Sequence, residues 1–416
     1  MAAAASWLGR LAAVTVPGIT QWTAWAAGPA SRMRPVSIGR DLRLDFFRGL
    51  SLFFIFLDHI PNNVLSYGTV QVIAFSDAAE VFIFISGYTA ALVYGQLLLR
   101  RGTLVATVQI YYRVWQLYVA HIFIFMVYTA EVSYATLQLQ TQSYSEELRL
   151  NNFLQEPHRA IIKTLLLQYQ PEFLDILPLY IVLLAFFPIV LLLQRRRPFA
   201  PVILSFAIYL LTMYLGWEPK TYPDNEGWFF NPFAWQFLFI VGATAGTAQS
   251  AAQPSLPHWP WIPRAAIAVT IVVAVIKLSW VAHDLWEGIP ALFPDQLQEL
   301  ANDKSDLSPV RLVSFFALAL TVVHFMGRDS AILRHPLSKL AIVCGQHSLH
   351  AFCLGILLSV LGRFIVTSIS SSLLTQLAVD VVGLALMIAL AQLMSWYRRK
   401  SRPPAAPAVA RTSVAS

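Results

Sequence analysis

The stretch RGLSLFFIFLDHIPNN, which runs from Arg48 to Asn63, carries ionisable side chains inside a strongly apolar run. Arg48 and His59 are eleven positions apart, so on an α-helix they project within about 20° of one another and lie ~16 Å apart along the axis. A charge buried in a bilayer costs roughly 3 kcal/mol or more, which makes both residues functional candidates. Histidine suits general base catalysis, and arginine binds carboxylates and phosphates. The structural alternatives are a snorkelling anchor for Arg48 and a hydrogen-bonded buried side chain for His59.

Carboxylates adjoin this histidine in the sequence and in the next apolar run. Asp58 precedes His59, and the run SDAAEVFIFISGYTAALVYG places Glu80 near the start of a second helix. An antiparallel pair of helices would bring Asp77 or Glu80 to the depth of Asp58 and His59. A carboxylate beside a histidine orients the ring and stabilises its charged form. We therefore predict a catalytic group of His59, Asp58 and Glu80.

These runs belong to a chain with the composition of a membrane protein. Of its 416 residues 57% are hydrophobic and 12% charged, against about 25% charged in soluble domains. We predict an all-α polytopic membrane protein with about ten transmembrane helices, because ten apolar runs approach or exceed the roughly 20 residues that cross a bilayer. The net charge of +7 lies in short basic clusters between these runs, which indicates a lipid bilayer as partner and no nucleic acid. The ten runs are approximately 43–62, 77–98, 105–130, 174–194, 199–216, 231–249, 265–282, 309–327, 343–362 and 373–396.

The placement of lysine and arginine orients the predicted helices. If the N-terminus is cytoplasmic, the clusters Arg100–Arg101, Arg195–Arg197 and Arg398–Lys400 all fall on the cytoplasmic side, as the positive-inside rule expects. We therefore predict that both termini are cytoplasmic. Residues 1–40 could instead contain a cleaved signal peptide, although a proline and several polar residues interrupt the apolar run there. The predicted domains are an N-terminal cytoplasmic tail at 1–40, a membrane domain at 41–396 and a flexible basic tail at 397–416.

Several stretches together resemble a known family. Arg48 and His59, followed by FIFISGY, look like the signature of the integral-membrane acyltransferase family 3. Within that superfamily the chain is closer to the OpgC proteins, which are osmoregulated periplasmic glucan succinyltransferases. The stretches that carry this resemblance are, in order, DFFRGLSLFFIFLDHIPNN, FSDAAEVFIFISGY, RVWQLYVAH, ILPLYIVLL, FNPFAWQFLFIVG and GQHSLHAF, and the resemblance covers roughly residues 41–395.

The resemblance implies a reaction and a location. An OpgC-type enzyme of the bacterial inner membrane would move a succinyl or similar acyl group from cytoplasmic acyl-CoA to a hydroxyl of a periplasmic glucan. His59 matches the catalytic histidine of the family and would be the general base on the sugar hydroxyl, a contribution of about 10²–10⁴-fold. Arg48 matches the arginine of the motif and would bind the phosphates or the carboxylate of the donor. Acyl-CoA is expected as a substrate, and no tightly bound cofactor is expected.

The third motif departs from the family pattern. Arg113 stands where the family commonly has the first of two arginines three residues apart, and the second position is Gln116. One charge fewer weakens a bidentate clamp on the CoA phosphates, although Gln116 could still form a hydrogen bond. We assign donor binding to Arg48, Arg113, Gln116 and Ser86. Ser86 is also the reserve nucleophile, and with Gly87 it forms a small-residue patch that favours close helix packing.

Two further groups of polar residues are candidates for ligand contact. Asn231, Trp235 and Gln236 in the stretch NPFAWQ combine an aromatic ring with amides, which suits binding of the acceptor sugar, although tryptophan is also enriched at membrane interfaces. His347 and His350 have the spacing of a metal-binding pair, but no third ligand is apparent nearby. We therefore predict no metal site.

A transporter is the alternative class of protein. Asp58, His59, Glu80 and Asp380 could form an intramembrane proton relay for moving a small solute or a glucan. The sequence shows no two-fold repeat of the kind many transporters have. A sensor or scaffold, the third possibility, gives these polar residues no purpose. Consumption of acyl-CoA would distinguish the enzyme from both alternatives.

Overall fold

The computed structural model describes residues 40–139, 143–223, 226–250, 259–286, 288–293 and 295–401, and these residues are mainly helical. No β-strand is assigned among them, apart from one isolated bridge between Lys220 and Gly227. In chain order the α-helices are α1 Leu42–Asp58, α2 Ala78–Arg101, α3 Thr103–Leu139, α4 Ser143–Glu147, α5 Asn151–Gln155, α6 Pro157–Leu165, α7 Ile176–Arg196, α8 Ala200–Leu215, α9 Pro232–Ser250, α10 Trp261–Leu285, α11 Asp295–Asn302, α12 Pro309–Phe325, α13 Pro336–Gln346, α14 Ser348–Phe364 and α15 Leu373–Lys400.

Six helices in the described part of the chain are long and apolar enough to cross a membrane: α2, α3, α7, α10, α14 with its extension to Ile369, and α15. Two shorter helices, α8 and α12, are also apolar. The chain is therefore a multi-pass α-helical membrane protein. The total of about ten spans and the cytoplasmic placement of the termini stay predictions. The proposed tail at 1–40 lies outside the described residues except for Arg40, and so does the C-terminal tail beyond Ser401.

Two of the predicted spans are cut short or interrupted in the structure. Helix α1 ends at Asp58 instead of continuing to residue 62. Pro61 has no amide hydrogen and restricts the residue before it, and Asn62 then adopts a positive φ of 54°. The apolar run at 343–362 is broken at His347, whose φ of −118° and ψ of 36° separate α13 from α14.

Close helix crossings hold α1 and α2 in place. A Cβ atom at Gly87 of α2 would lie 2.0 Å from the carbonyl oxygen of Phe239 in α9, so only glycine allows the two backbones to approach this closely. Gly49 of α1 has the same role, because a Cβ there would lie 1.8 Å from the carbonyl oxygen of Ala341 in α13. The expectation that Gly87 serves helix packing is confirmed.

Substitution of Gly87 with Ala is expected to destabilise the protein by about 1–3 kcal/mol, because the added methyl group forces α2 and α9 apart. Gly95→Ala is the matched control on the same helix, since a Cβ at Gly95 has no atom within 4 Å. Thermal unfolding of both variants in one lipid environment provides the measurement. Equal midpoints for the two variants would contradict the close crossing.

Candidate functional site

His59 lies at the C-terminal end of α1, where the chain leaves the helix. Its backbone N–H still donates to the carbonyl of Ile55 at 3.2 Å. Asn63 then fixes the following turn, because its Nδ2 donates to the carbonyl of Leu57 at 3.1 Å and to Asp380 Oδ1 at 2.9 Å. The turn that carries His59 is thereby attached both to α1 and to α15.

The His59 ring packs against Phe173, with ring centroids 4.1 Å apart and planes tilted by 35°. Its Nδ1 atom is buried and has no hydrogen-bond partner among the described residues. Lys304, Asp77 and Arg363 are close enough to act on the ring electrostatically. The neighbouring residues confirm that α14 lies alongside, because a Cβ at Gly362 would be 3.2 Å from Ile60 Cδ1.

The two carboxylates predicted to accompany His59 have other partners. Asp58 Oδ1 accepts a hydrogen bond from Gln71 Nε2 at 2.9 Å. Glu80 is fully buried and accepts from Arg311 Nε at 2.7 Å and from the backbone N–H of Asp77 at 2.9 Å. Asp58 and Glu80 lie at the same end of the helix bundle as His59, but neither carboxylate forms a hydrogen bond with the histidine ring.

Asp77, Glu80, Lys304 and Arg311 form a cluster of two acids and two bases, called here the ion cluster. Arg311 Nη2 lies 2.6 Å from Glu80 and 3.2 Å from Asp77, and Lys304 Nζ lies 2.7 Å from Asp77. Burial alone would lower the pKa of Lys304, but the Asp77 and Glu80 carboxylates outweigh burial, so the pKa of this ammonium group is raised. The cluster joins the start of α2 to the start of α12.

The predicted sugar-binding residues lie at the start of α9, and two of them bond to the loop that carries Lys304. Trp235 is fully buried, and its Nε1 donates to the carbonyl of Lys304 at 3.0 Å. Asn231 Nδ2 donates to Asp306 Oδ1 at 2.7 Å, and Gln236 Nε2 donates to the carbonyl of Ser205 at 2.8 Å. Trp235 and Asn231 therefore hold the loop that carries Lys304, whereas Gln236 attaches α9 to α8.

Arg48 lies in the N-terminal half of α1 and is half-buried against α2. Its Nη2 donates to the carbonyl of Ile85 at 3.2 Å and to the hydroxyl of Thr89, whereas its Nε is buried and has no partner among the described residues. Arg113 is close enough to interact with Arg48 electrostatically. The two predicted donor-binding arginines therefore share one region of the bundle, nearer the N-terminal end of α1 than His59.

The remaining predicted donor residues lie on α3 and α2. Gln116 Oε1 accepts a hydrogen bond from Arg113 Nη1 at 3.1 Å, so the residue that departs from the family pattern holds the arginine in place. Ser86 is buried, at 1% exposure, beside the Gly87 crossing. Its position fits helix packing, and the nucleophilic role stays a prediction.

The residues of the alternative proton relay are not linked by hydrogen bonds in the described part of the chain. Asp380 is bound to Asn63, Glu80 to Arg311 and Asp58 to Gln71. His347 lies at the break before α14, and His350 lies in the first turn of α14. No group of three or more possible metal ligands occurs among the described residues.

Three residues near His59 were missed by the sequence reasoning: Phe173, Lys304 and Arg363. Phe173 and Lys304 lie in long connections between apolar runs, and their distance in sequence from His59 gives no signal of contact. Arg363 stands near the end of an apolar run and has the pattern of an interfacial anchor. Only the tertiary fold brings these residues to the end of α1.

The fold and the site define a multi-pass α-helical membrane protein. One of its helices has a histidine at its C-terminal end and a partly buried arginine nearer its start. The chain belongs to the OpgC protein family, whose sequence profile matches residues 40–399. This membership suggests a membrane protein that modifies a glucan. No curated protein and no solved structure matches the chain.

Proposed function

We propose that this protein is an O-acyltransferase that moves a succinyl or similar acyl group from cytoplasmic acyl-CoA to a hydroxyl of a periplasmic glucan. One observation carries the proposal: Arg48 lies in α1 and His59 caps its C-terminal end, and each side chain has a buried nitrogen atom without a hydrogen-bond partner among the described residues. Membership of the OpgC family supports the glucan as acceptor. The bacterial inner membrane, where the two substrates lie on opposite sides, is the proposed location.

Separate regions of the site would bind the donor and the acceptor. Arg48 and Arg113 form the cationic region, which suits the phosphates of CoA. The acyl-pantetheine arm would extend from there along α1 towards His59, over the ~16 Å that eleven helical positions span. The similarity of Arg48 and His59 to the acyltransferase family 3 signature supports this division of roles.

His59 would act on the sugar hydroxyl as general base. The hydroxyl oxygen attacks the thioester carbonyl carbon while His59 takes its proton, and a new C–O bond forms. Breakage of the C–S bond then releases CoA as a thiolate, to which the protonated His59 can return the proton. Because Asp58 and Glu80 have other partners, the Phe173 ring is the neighbour that holds the imidazole in place.

The test uses the purified protein in lipid nanodiscs with an unsubstituted glucan fraction and either labelled succinyl-CoA or labelled acetyl-CoA. The proposal expects one ester on the glucan for each CoA released, and mass spectrometry of the glucan measures it. Release of CoA without ester on the glucan, or no release with either donor, would overturn the proposal.

Arg363 provides a test of the succinyl group in particular. Arg363 lies near His59, and its Nη2 is 2.6 Å from Glu147. Its Nε is buried and has no hydrogen-bond partner in the part of the chain that the structure describes. A terminal carboxylate on the acyl group would bind such a guanidinium group. Arg363→Met is expected to lower kcat/KM for succinyl-CoA by about 10-fold or more and to change kcat/KM for acetyl-CoA much less. An equal loss with both donors would contradict this assignment.

A further inference from the structure

Helix α6, Pro157–Leu165, precedes the segment that carries Phe173, and one side of this short helix is apolar and exposed. Four large aliphatic side chains of α6 and its C-cap, each 38–59% exposed, form what is called here the aliphatic face: Ile161, Ile162, Leu165 and Leu166. Their i, i+1, i+4 and i+5 spacing places them on one side of a helix. The buried residues Ala160 and Thr164 lie about 150° around the axis from the middle of this face, so the aliphatic face points away from the protein.

The aliphatic face continues the lipid-facing surface of α3. The Tyr118 hydroxyl of α3 donates to the carbonyl oxygen of Leu165 at 2.9 Å. Tyr118 also stacks on Trp115, with ring centroids 5.9 Å apart, and Trp115 is 61% exposed. Because α3 is long and apolar enough to cross a membrane, its exposed aromatic side chains are expected to contact lipid. The same lipid reaches the end of α6.

Water would be an unfavourable surrounding for the aliphatic face. Exposed aliphatic side chains cost free energy in water in proportion to their area, and a patch of them marks a surface that binds a membrane or another protein. Ile162 and Leu166 are 55% and 59% exposed, so no segment in the described part of the chain covers them. The cover therefore lies outside the described residues, and the junction with α3 identifies it as lipid.

The charged residues of α6 fit the headgroup region of a bilayer. Arg159 and Lys163 lie four positions apart, on a side of the helix roughly 110° from the middle of the aliphatic face. Basic side chains in that position extend to lipid phosphates while the aliphatic side chains enter the acyl chains. Glu156 pairs with Arg159 at 3.0 Å. Lys163 keeps its positive charge unbalanced, because its hydrogen-bond partner is the neutral amide of Gln168.

We propose that α6 is an interfacial membrane helix, which lies in the headgroup region at the His59 end of the bundle with its aliphatic face in the acyl chains. The helix also holds the segment that reaches His59, because the carbonyl oxygen of Lys163 accepts hydrogen bonds from the backbone N–H groups of Gln168 and Tyr169 at 2.8 and 3.2 Å. Phe173, which stacks on His59, follows in the same segment. The lipid surface thereby fixes the height of that segment. This lipid contact is independent of the reaction proposed above.

Spin labels measure the depth of α6 in the full-length protein, in liposomes of phosphatidylethanolamine and phosphatidylglycerol. Ile162→Cys and Leu166→Cys place a label on the aliphatic face, and Arg159→Cys places one on the basic side of the same helix. Collisions with oxygen, which dissolves in lipid, and with a nickel chelate, which stays in water, give the depth of each label. The labels at 162 and 166 are expected about 5–10 Å below the lipid phosphates. The label at 159 is expected at the level of the phosphates or in water.

Ile271→Cys and Lys220→Cys provide the reference depths. Ile271 is exposed in the middle of the membrane-crossing helix α10, and Lys220 is exposed in a connection between helices. The two native cysteines are buried or half-buried, and labelling of the wild-type protein measures their contribution to the signal.

Nickel collisions as frequent at 162 and 166 as at 220 would overturn the proposal, because α6 would then lie in water. Protection of these two labels from both reagents would assign the aliphatic face to a protein partner and would also overturn it. Dipolar coupling between labels of two copies would identify that partner as a second copy of the chain. The depth measurement uses neither acyl-CoA nor glucan, so its outcome and a failure of acyl transfer are separate results.

Discussion

Replacement of Arg311 with Met is expected to lower the free energy of unfolding by about 3–5 kcal/mol, because it leaves a buried carboxylate without its counter-ion. Glu80 is fully buried, and Arg311 Nε is its bonded cation at 2.7 Å. Arg311 also donates to the carbonyl of Ala301 at 2.9 Å, which ties α11 to α12. Both the charge balance and this helix contact are lost in the variant.

Arg159→Met is the control, because its pairing with Glu156 is exposed to solvent and is expected to contribute less than about 1 kcal/mol. Unfolding is followed by denaturant or heat in the same lipid environment for both variants. The double variant Arg311→Met with Glu80→Gln is expected to regain part of the loss, since it removes the uncompensated charge. A single Arg311 variant as stable as the wild type would show that the ion cluster does not stabilise the fold.

Replacement of His59 with Gln is expected to reduce kcat for acyl transfer by about 10²–10⁴-fold, the usual contribution of a general base. Glutamine keeps a hydrogen-bonding side chain of similar length and cannot take up the proton. Affinity for acyl-CoA is expected to change little, because the proposed CoA-binding residues, Arg48 of α1 and Arg113 of α3, lie apart from His59. Transfer of labelled succinyl groups and equilibrium binding of succinyl-CoA are the two measurements.

His158→Gln is the control for this substitution, since His158 is exposed on the short helix α6. Equal expression, membrane insertion and thermal stability of the two variants establish that the fold is retained. Transfer by the His59 variant at the wild-type rate would remove His59 from the mechanism. A loss of acyl-CoA binding in that variant would instead indicate that His59 contacts the donor.

Local features of the fold could be predicted from the sequence because they depend on neighbouring residues. Asp77 and Glu80 form a capping box at the start of α2, so the two carboxylates mark the beginning of this helix. The small residue Gly87 indicated a close crossing, which the structure contains. The apolar runs predicted a multi-pass helical protein, because each helix must by itself be long enough to cross the lipid.

The partners of the site residues could not be predicted, because they depend on contacts between distant segments. Glu80 and Arg311 are 231 residues apart in the chain, and His59 and Phe173 meet across the bundle. A sequence pattern places a carboxylate at a helix start but does not say which cation reaches it. The amides and the tryptophan of NPFAWQ suit a sugar site as well as they suit structural support. In the structure Asn231 and Trp235 hold a loop, and Gln236 bonds to a neighbouring helix.

The central claim is that acyl-CoA on one side of the membrane and a glucan on the other react at His59. Proteoliposomes test it most directly, with the protein in one orientation, labelled succinyl-CoA on the side of Arg398–Lys400 and the unsubstituted glucan fraction on the opposite side. The account predicts ester on the sugar with this arrangement, none when the two substrates are exchanged, and 10²–10⁴-fold less with His59→Gln. Transport of unmodified sugar across the membrane without ester formation would contradict the account and favour the transporter.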